Sequence, residues 1–218
     1  MDYLRSNKIH VFNIHFAARI AREPEKYVSM RLATMPHIRR VARGIYYLDD
    51  ASIQEIASSI LSPSYVSLLS SFFLRGVTTQ VPIEIQVMAP VQHKSVELEG
   101  YKIRFIKMDQ RRLFGYSMLD GAMVADLEKG IVDSLYMNLY SDEVLDIMRE
   151  SRDAIDARKL KEYAVRMTSK STISRLGFAM ERCGFNADEL ESMRSERYVK
   201  LGSGGDLRSK RWRVSHAE

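Results

Sequence analysis

The 218-residue chain has one cysteine, Cys183, and no proline after Pro90. A single cysteine excludes an internal disulfide and suits a reducing compartment. Cys183 lies in a stretch that reads as helix, with no activating partner in sequence, so it reads as a structural thiol and not as a nucleophile. No apolar run approaches the ~18 residues of a membrane span. The N-terminus does not read as a signal peptide. A cytoplasmic protein without a membrane partner is therefore expected. The five histidines, His10, His15, His37, His93 and His216, show no metal-ligand spacing. The single glycine-rich run, Gly202-Ser203-Gly204-Gly205, is not followed by the Lys-Ser/Thr of a phosphate loop. It reads instead as a flexible joint before a basic tail, Leu207–Val214. No cofactor and no metal are expected, and no internal repeat is visible.

What the chain does have is 45% hydrophobic content and a net charge of +5. That is enough apolar material for one or two domains with real cores. The charge is uneven. Residues 1–50 carry nine Lys/Arg against five Asp/Glu, and residues 194–218 carry seven against three. The middle is slightly acidic. Basic ends suit both solubility and a polyanionic partner.

All five prolines fall in the first 90 residues, so the chain opens punctuated and continues with long uninterrupted stretches. Asn13 can cap a short helix to about Ala21. Pro24 is placed for the first turn of a second helix, which Pro36 stops. Ile38–Ala42 and Ile45–Leu48 read as strands joined by a two-residue loop, Arg43-Gly44. Helix, helix and short hairpin is the order of a winged helix-turn-helix. A linker helix is expected over residues 52–61. The stretch Tyr65–Leu74 reads as an apolar helix stopped at Arg75-Gly76, feeding a strand that alternates Ile83, Ile85, Val87. Further strands are expected at Ser95–Leu98, Lys102–Met108 and Leu113–Ser117, with Glu99-Gly100 as a tight turn. A helix over residues 125–140 would have a core stripe of Leu127, Ile131, Leu135 and Leu139. Helices near residues 142–150, 156–168, 170–182 and 187–194 would follow. The expected fold class is mixed α/β (α+β). It comprises a winged helix-turn-helix over residues 1–50, a linker helix over 51–62, and a domain over 63–218 with a short sheet packed by several helices.

On a helical wheel, Val28, Leu32 and Met35 share the core face of the second helix. Lys26, Met30 and Ala33 point away, flanked by Tyr27, Ser29 and Thr34. A cation, hydroxyls, a methionine and a small residue can meet base edges and thymine methyls. Arg31 lies nearer the core edge and would reach a phosphate. Arg39, Arg40 and Arg43 crowd the hairpin and would neutralise phosphates or enter the minor groove. Lys26, Tyr27, Ser29, Met30, Arg31, Ala33, Arg39, Arg40 and Arg43 are thus the candidate contacts to double-stranded DNA.

Several phrases resemble the AbiEi-like regulators, the antitoxins of type IV toxin–antitoxin pairs. The first is Arg40-Val41-Ala42-Arg43-Gly44-Ile45-Tyr46-Tyr47-Leu48. The second is Tyr65-Val66-Ser67-Leu68-Leu69-Ser70, then Gly76, then Thr79-Gln80-Val81-Pro82. The third is Phe114-Gly115-Tyr116, followed by Val124-Ala125-Asp126-Leu127-Glu128-Lys129-Gly130-Ile131-Val132-Asp133. The resemblance covers the chain to about residue 150. It implies a repressor that binds repeats in its own promoter and opposes a nucleotidyltransferase toxin. A homodimer or a cooperative assembly on DNA would suit such repeats. The family's usual alanine after Glu-Lys is here Gly130, an exchange expected to weaken the helix slightly.

No enzymatic activity is expected. Glu128 and Asp133 fall about 140° apart on a helix and do not converge. The strand acids Glu84, Glu97 and Glu99 lack an acid-x-Lys pairing with Lys102, which a metal-dependent nuclease would use. The alternatives are a DNA-processing nuclease targeted by the N-terminal domain, or an orphan regulator with no toxin.

Overall fold

The structure is a computed structural model and describes residues 2–217. It is a mixed α/β protein whose chain forms two compact units interleaved in sequence. The first unit gathers Met1–Val66, Ile83–Met108 and Met118–Val124, and the second gathers Ser67–Pro82, Asp109–Ser117 and Ala125–Glu218. Among the described residues no helix is long and apolar enough to cross a membrane.

The first unit opens with α1 (Asp2–Ser6), β1 (Val11–Asn13), α2 (Ile14–Ala21), α3 (Glu25–Leu32), β2 (Ile38–Ala42), β3 (Ile45–Leu48) and α4 (Ile53–Ser59). Local chemistry sets these boundaries. The Asn13 side chain accepts from the Phe16 amide at 2.8 Å and starts α2. Pro24 is the N-cap of α3, one residue before the expected first turn. That helix ends at Leu32, earlier than the expected Met35, because a residue preceding proline avoids the helical region. Thr34 instead turns its hydroxyl back to the Arg31 carbonyl at 2.8 Å. The β2–β3 hairpin turns at Arg43-Gly44, where Gly44 has φ +76° and the Ala42↔Ile45 pair closes the loop. Strands β1, β3 and β2 form an antiparallel sheet in that order. Phe12, Val28, Leu32, Ile38, Tyr46 and Leu48 are its buried core.

Ser52 caps α4 by accepting from the Glu55 amide at 3.2 Å. Within residues 51–62, expected to join two domains, Ile56 and Ala57 are fully buried. The helix packs against β1, and against β4 (Tyr65–Val66) and β5 (Glu84–Ala89). Glu55 is buried but paired, its carboxylate 3.0 Å from His10 Nδ1.

The run expected as one helix from Tyr65 is split. Tyr65–Val66 is strand β4, and α5 spans only Leu68–Leu74 in the second unit. Short apolar runs carry no period that separates strand from helix; here the ladder to Met88 and Val87 on β5 decides. A six-stranded sheet is completed by β6 (Val96–Leu98), β7 (Tyr101–Lys107), β8 (Tyr116–Leu119) and β9 (Ala122–Ala125), in the order β6-β7-β5-β4-β9-β8. β5 runs parallel to β7, and Ile85 through Ala89 are all buried, as in a strand covered on both faces. Ile83 is not part of the expected alternation: it lies outside the strand, 96% exposed. β8 lies further along than the expected 113–117, and β9 was not foreseen. Asp120-Gly121 turns between them with φ +46° and +85°, the doubly left-handed geometry of a two-residue hairpin loop.

The second unit continues with α6 (Leu127–Met137), α7 (Ser141–Glu150), α8 (Ala157–Arg166), α9 (Lys170–Arg182), β10 (Val199–Lys200), β11 (Leu207–Ser209) and β12 (Val214–His216). A 3-10 helix at Asp188–Met193 stands where an α-helix was expected. α6 starts after Asp126 and stops at a left-handed Asn138, so Leu139 falls outside its expected stripe. It is also no stripe: every residue from Leu127 to Leu135 is buried, because α5, α7, α8 and α9 all pack on it. Lys129 and Asp133 form a fully buried ion pair, and Ser67 Oγ donates to Asp133 Oδ2 at 2.8 Å. A Cβ on Gly130 would stand 2.8 Å from Phe72 Cε1 and Ser71 Oγ. Gly130 therefore admits α5, a role the propensity argument could not reveal.

The basic tail is fastened. β12 pairs with β10 and β11, and Trp212 is fully buried, its Nε1 donating to Glu181. Arg211 is held by Glu181, Asp188 and Glu191. The expected flexible joint is pinned too: the Gly202 amide donates to Asn138 Oδ1 at 2.9 Å, and Asn138 Nδ2 donates back at 2.7 Å.

Candidate nucleic-acid interface

Helix α3 buries only Val28 and Leu32. Its opposite face presents Lys26, Tyr27, Met30 and Ala33 to solvent, with Tyr27 60% and Met30 62% exposed. Two large apolar side chains thus stand exposed on an eight-residue helix. Ser29 is half-buried and exchanges a 3.0 Å hydrogen bond with the Tyr46 hydroxyl. Tyr46 in turn stacks on Phe12, with centroids 6.0 Å apart. The hydroxyl that could reach a base edge thus also ties α3 to the sheet. Arg31 is exposed and paired with Glu23 at 2.8 Å.

The hairpin carries its cations outward. β2 is an edge strand, so Arg39 and Arg40 are both exposed although alternation separates them. A bulge between Arg40 and Ala42 breaks the register there and twists the strand next to the turn. Arg39 sits 3.7 Å from Glu99. Arg40 Nε donates to the Ala42 carbonyl at 3.0 Å and meets no carboxylate among the described residues. Arg43, at the loop, is exposed with no ionic partner among the described residues. Beside the hairpin, the His37 ring, 2.8 Å from Asp49, holds that carboxyl below its ordinary range, aided by Arg5.

Two further cations join this set without having been singled out from sequence. Arg19, in the last turn of α2, and Arg22, in the left-handed position that ends it, are exposed and form no ion pair among the described residues. A wheel of α2 would have found Arg19, since Ile14, Ala17 and Ala18 take the core side. Arg22 depends on the turn geometry, which sequence does not state. Within residues 1–50, six exposed cations therefore have no carboxylate partner among the described residues: Lys8, Arg19, Arg22, Lys26, Arg40 and Arg43. Among the described residues no group of three or more His, Cys, Asp or Glu is placed to hold a metal ion.

No family model matches the chain, and no curated protein matches it. In three dimensions it is similar to the crystal structure of the RV2827C protein from Mycobacterium tuberculosis. The TM-score is 0.63 at 11% sequence identity, over 99% of this chain and 89% of that one. A likeness at that identity concerns the fold alone.

Proposed function

We propose that residues 1–50 are a winged helix-turn-helix that binds duplex DNA, with α3 in the major groove and the β2–β3 hairpin as the wing. The observation that carries the reading is the exposed α3 face together with the exposed cations of residues 1–50 that have no carboxylate partner among the described residues. Unpaired guanidinium and ammonium groups supply the phosphate contacts that dominate affinity. Lys26, Tyr27, Met30 and Ala33 supply base-edge and methyl contacts, with Ser29 and Arg31 at the margins. The protein acts as a transcriptional repressor in the cytoplasm. Its antitoxin role, with operator repeats at its own gene and a nucleotidyltransferase toxin as opponent, rests on the sequence resemblance alone.

The test is a salt titration of binding to the DNA just upstream of the gene. Replacing Arg39, Arg40 and Arg43 with Ala together should lower affinity for any duplex. It should also flatten the log–log salt slope by about two units, since each phosphate contact contributes roughly 0.9 and Arg39 is already shared with Glu99. An unchanged slope would remove the hairpin from the interface.

A further inference from the structure

Within the second unit, Asp109, Arg111, Arg112, Arg166 and Thr168 line a cavity of about 330 Å³. Three of the five are arginines, against one carboxylate. Arg112 is rigidly placed: Nε donates to the Met167 carbonyl at 2.8 Å, Nη1 to the Tyr136 hydroxyl at 2.9 Å, and Nη2 reaches Thr168 Oγ1 at 3.5 Å. All three acceptors are neutral, so its charge is not cancelled. Arg166 lies 3.9 Å over the Phe114 ring and has no hydrogen-bonding or ionic partner among the described residues. Arg111 pairs with Asp109 at 3.3 Å, leaving a surplus of two positive charges on the lining.

Lys129 Nζ sits 4.7 Å from the Phe114 centroid, and its charge is matched one for one by Asp133. Burial pushes the Lys129 ammonium below the ordinary lysine range. The nearby charges of Arg166 and Arg112 push the same way, against the pull of Asp133. Arg112 has a structural task, since it closes the corner between α8 and α9 through Met167. Arg166 has no such bond, and gathering it beside two other arginines costs repulsion that a bound anion would relieve. A guanidinium fork matches phosphate oxygens in a bidentate way, and guanidinium groups laid on aromatic rings are preorganised for it.

We propose that this cavity binds the dianionic phosphate of a small phosphomonoester. Arg112 is the fixed fork, and Arg166 and Arg111 close on the remaining oxygens, while the Thr168 hydroxyl stays bonded to the Met167 carbonyl at 2.8 Å. The volume is at the lower end of small-molecule sites, about 300–1,000 Å³, which leaves space for the group that carries the phosphate.

The experiment is calorimetric titration of the full chain with inorganic phosphate and, separately, a 5′-mononucleotide, at constant ionic strength in chloride. Saturable binding at one site per chain is expected for at least one of them. Tighter binding of the nucleotide would identify an organic phosphomonoester as occupant. Tighter binding of inorganic phosphate would restrict the site to the free anion and overturn the monoester assignment. Arg166→Gln should weaken binding about tenfold or more, the scale of one lost charge-assisted contact, and Arg111→Gln by less. Both residues are exposed, so the melting temperature without ligand should stay unchanged. The proposal falls if neither probe binds saturably, or if the Arg111→Gln/Arg166→Gln double variant binds as the natural protein does.

Discussion

Lys26 and Lys129 occupy comparable places, each within the first turn of its helix, α3 or α6. Lys26 is exposed and has no ionic partner among the described residues. Lys129 is fully buried against Asp133, Phe114 and Met167. The two helices differ in what surrounds them. α3 rests on one layer and keeps a solvent face, so its charge is available to a ligand. α6 is packed by four helices, so its charges are taken up inside the fold, Lys129 by Asp133 and Glu128 by Lys159 at 3.0 Å. The same residue type is therefore a candidate contact in one helix and a structural element in the other.

The largest test of that contrast is Lys129→Ala, which strands the Asp133 carboxylate in the core. It should cost about 3–5 kcal/mol in urea unfolding, the penalty of a buried charge without its partner. Replacing both residues with apolar ones of similar volume should recover most of the loss. If the double variant is as unstable as the single one, packing rather than charge holds α6.

Gly130→Ala probes the same crowding more gently. Alanine favours a helix by about 1 kcal/mol over glycine, but its methyl would meet Phe72 and Ser71 at 2.8 Å. Overpacking of that kind costs roughly 1–3 kcal/mol. The midpoint of denaturation should therefore fall despite the better propensity, and a rise would mean that α5 yields easily.

The smallest effect on stability belongs to Lys26→Ala. It should leave unfolding within about 0.5 kcal/mol of the natural chain, while lowering preference for the operator by about 1–3 kcal/mol in a competition assay. Equal losses on specific and non-specific DNA would make Lys26 a positioning contact only.

The elements that sequence located well are those whose signals are local. Asn13 caps α2 three residues away, and Arg43-Gly44 and Glu99-Gly100 turn their hairpins within two residues. The exposed face of α3 follows from a wheel over eight residues, so most of the candidate interface was legible. Its partners were less so. Arg39 meets Glu99 and Ser29 meets Tyr46 only because the chain returns.

By itself, then, the sequence determined the mixed α/β class, the helix–helix–hairpin order at the N-terminus and the basic character of both ends. Tertiary structure decided what those residues do. It made a strand of Tyr65–Val66 through pairing with β5 and β9. It buried α6 on every side and turned Gly130 into a contact point. It committed Arg211 and Trp212 to fastening the tail. It also brought Arg112 to Met167, 55 residues away, to build the arginine cavity. The physical reason is range. Caps, prolines and turns act through backbone groups a few residues apart, whereas burial and charge pairing depend on neighbours that only the folded chain supplies.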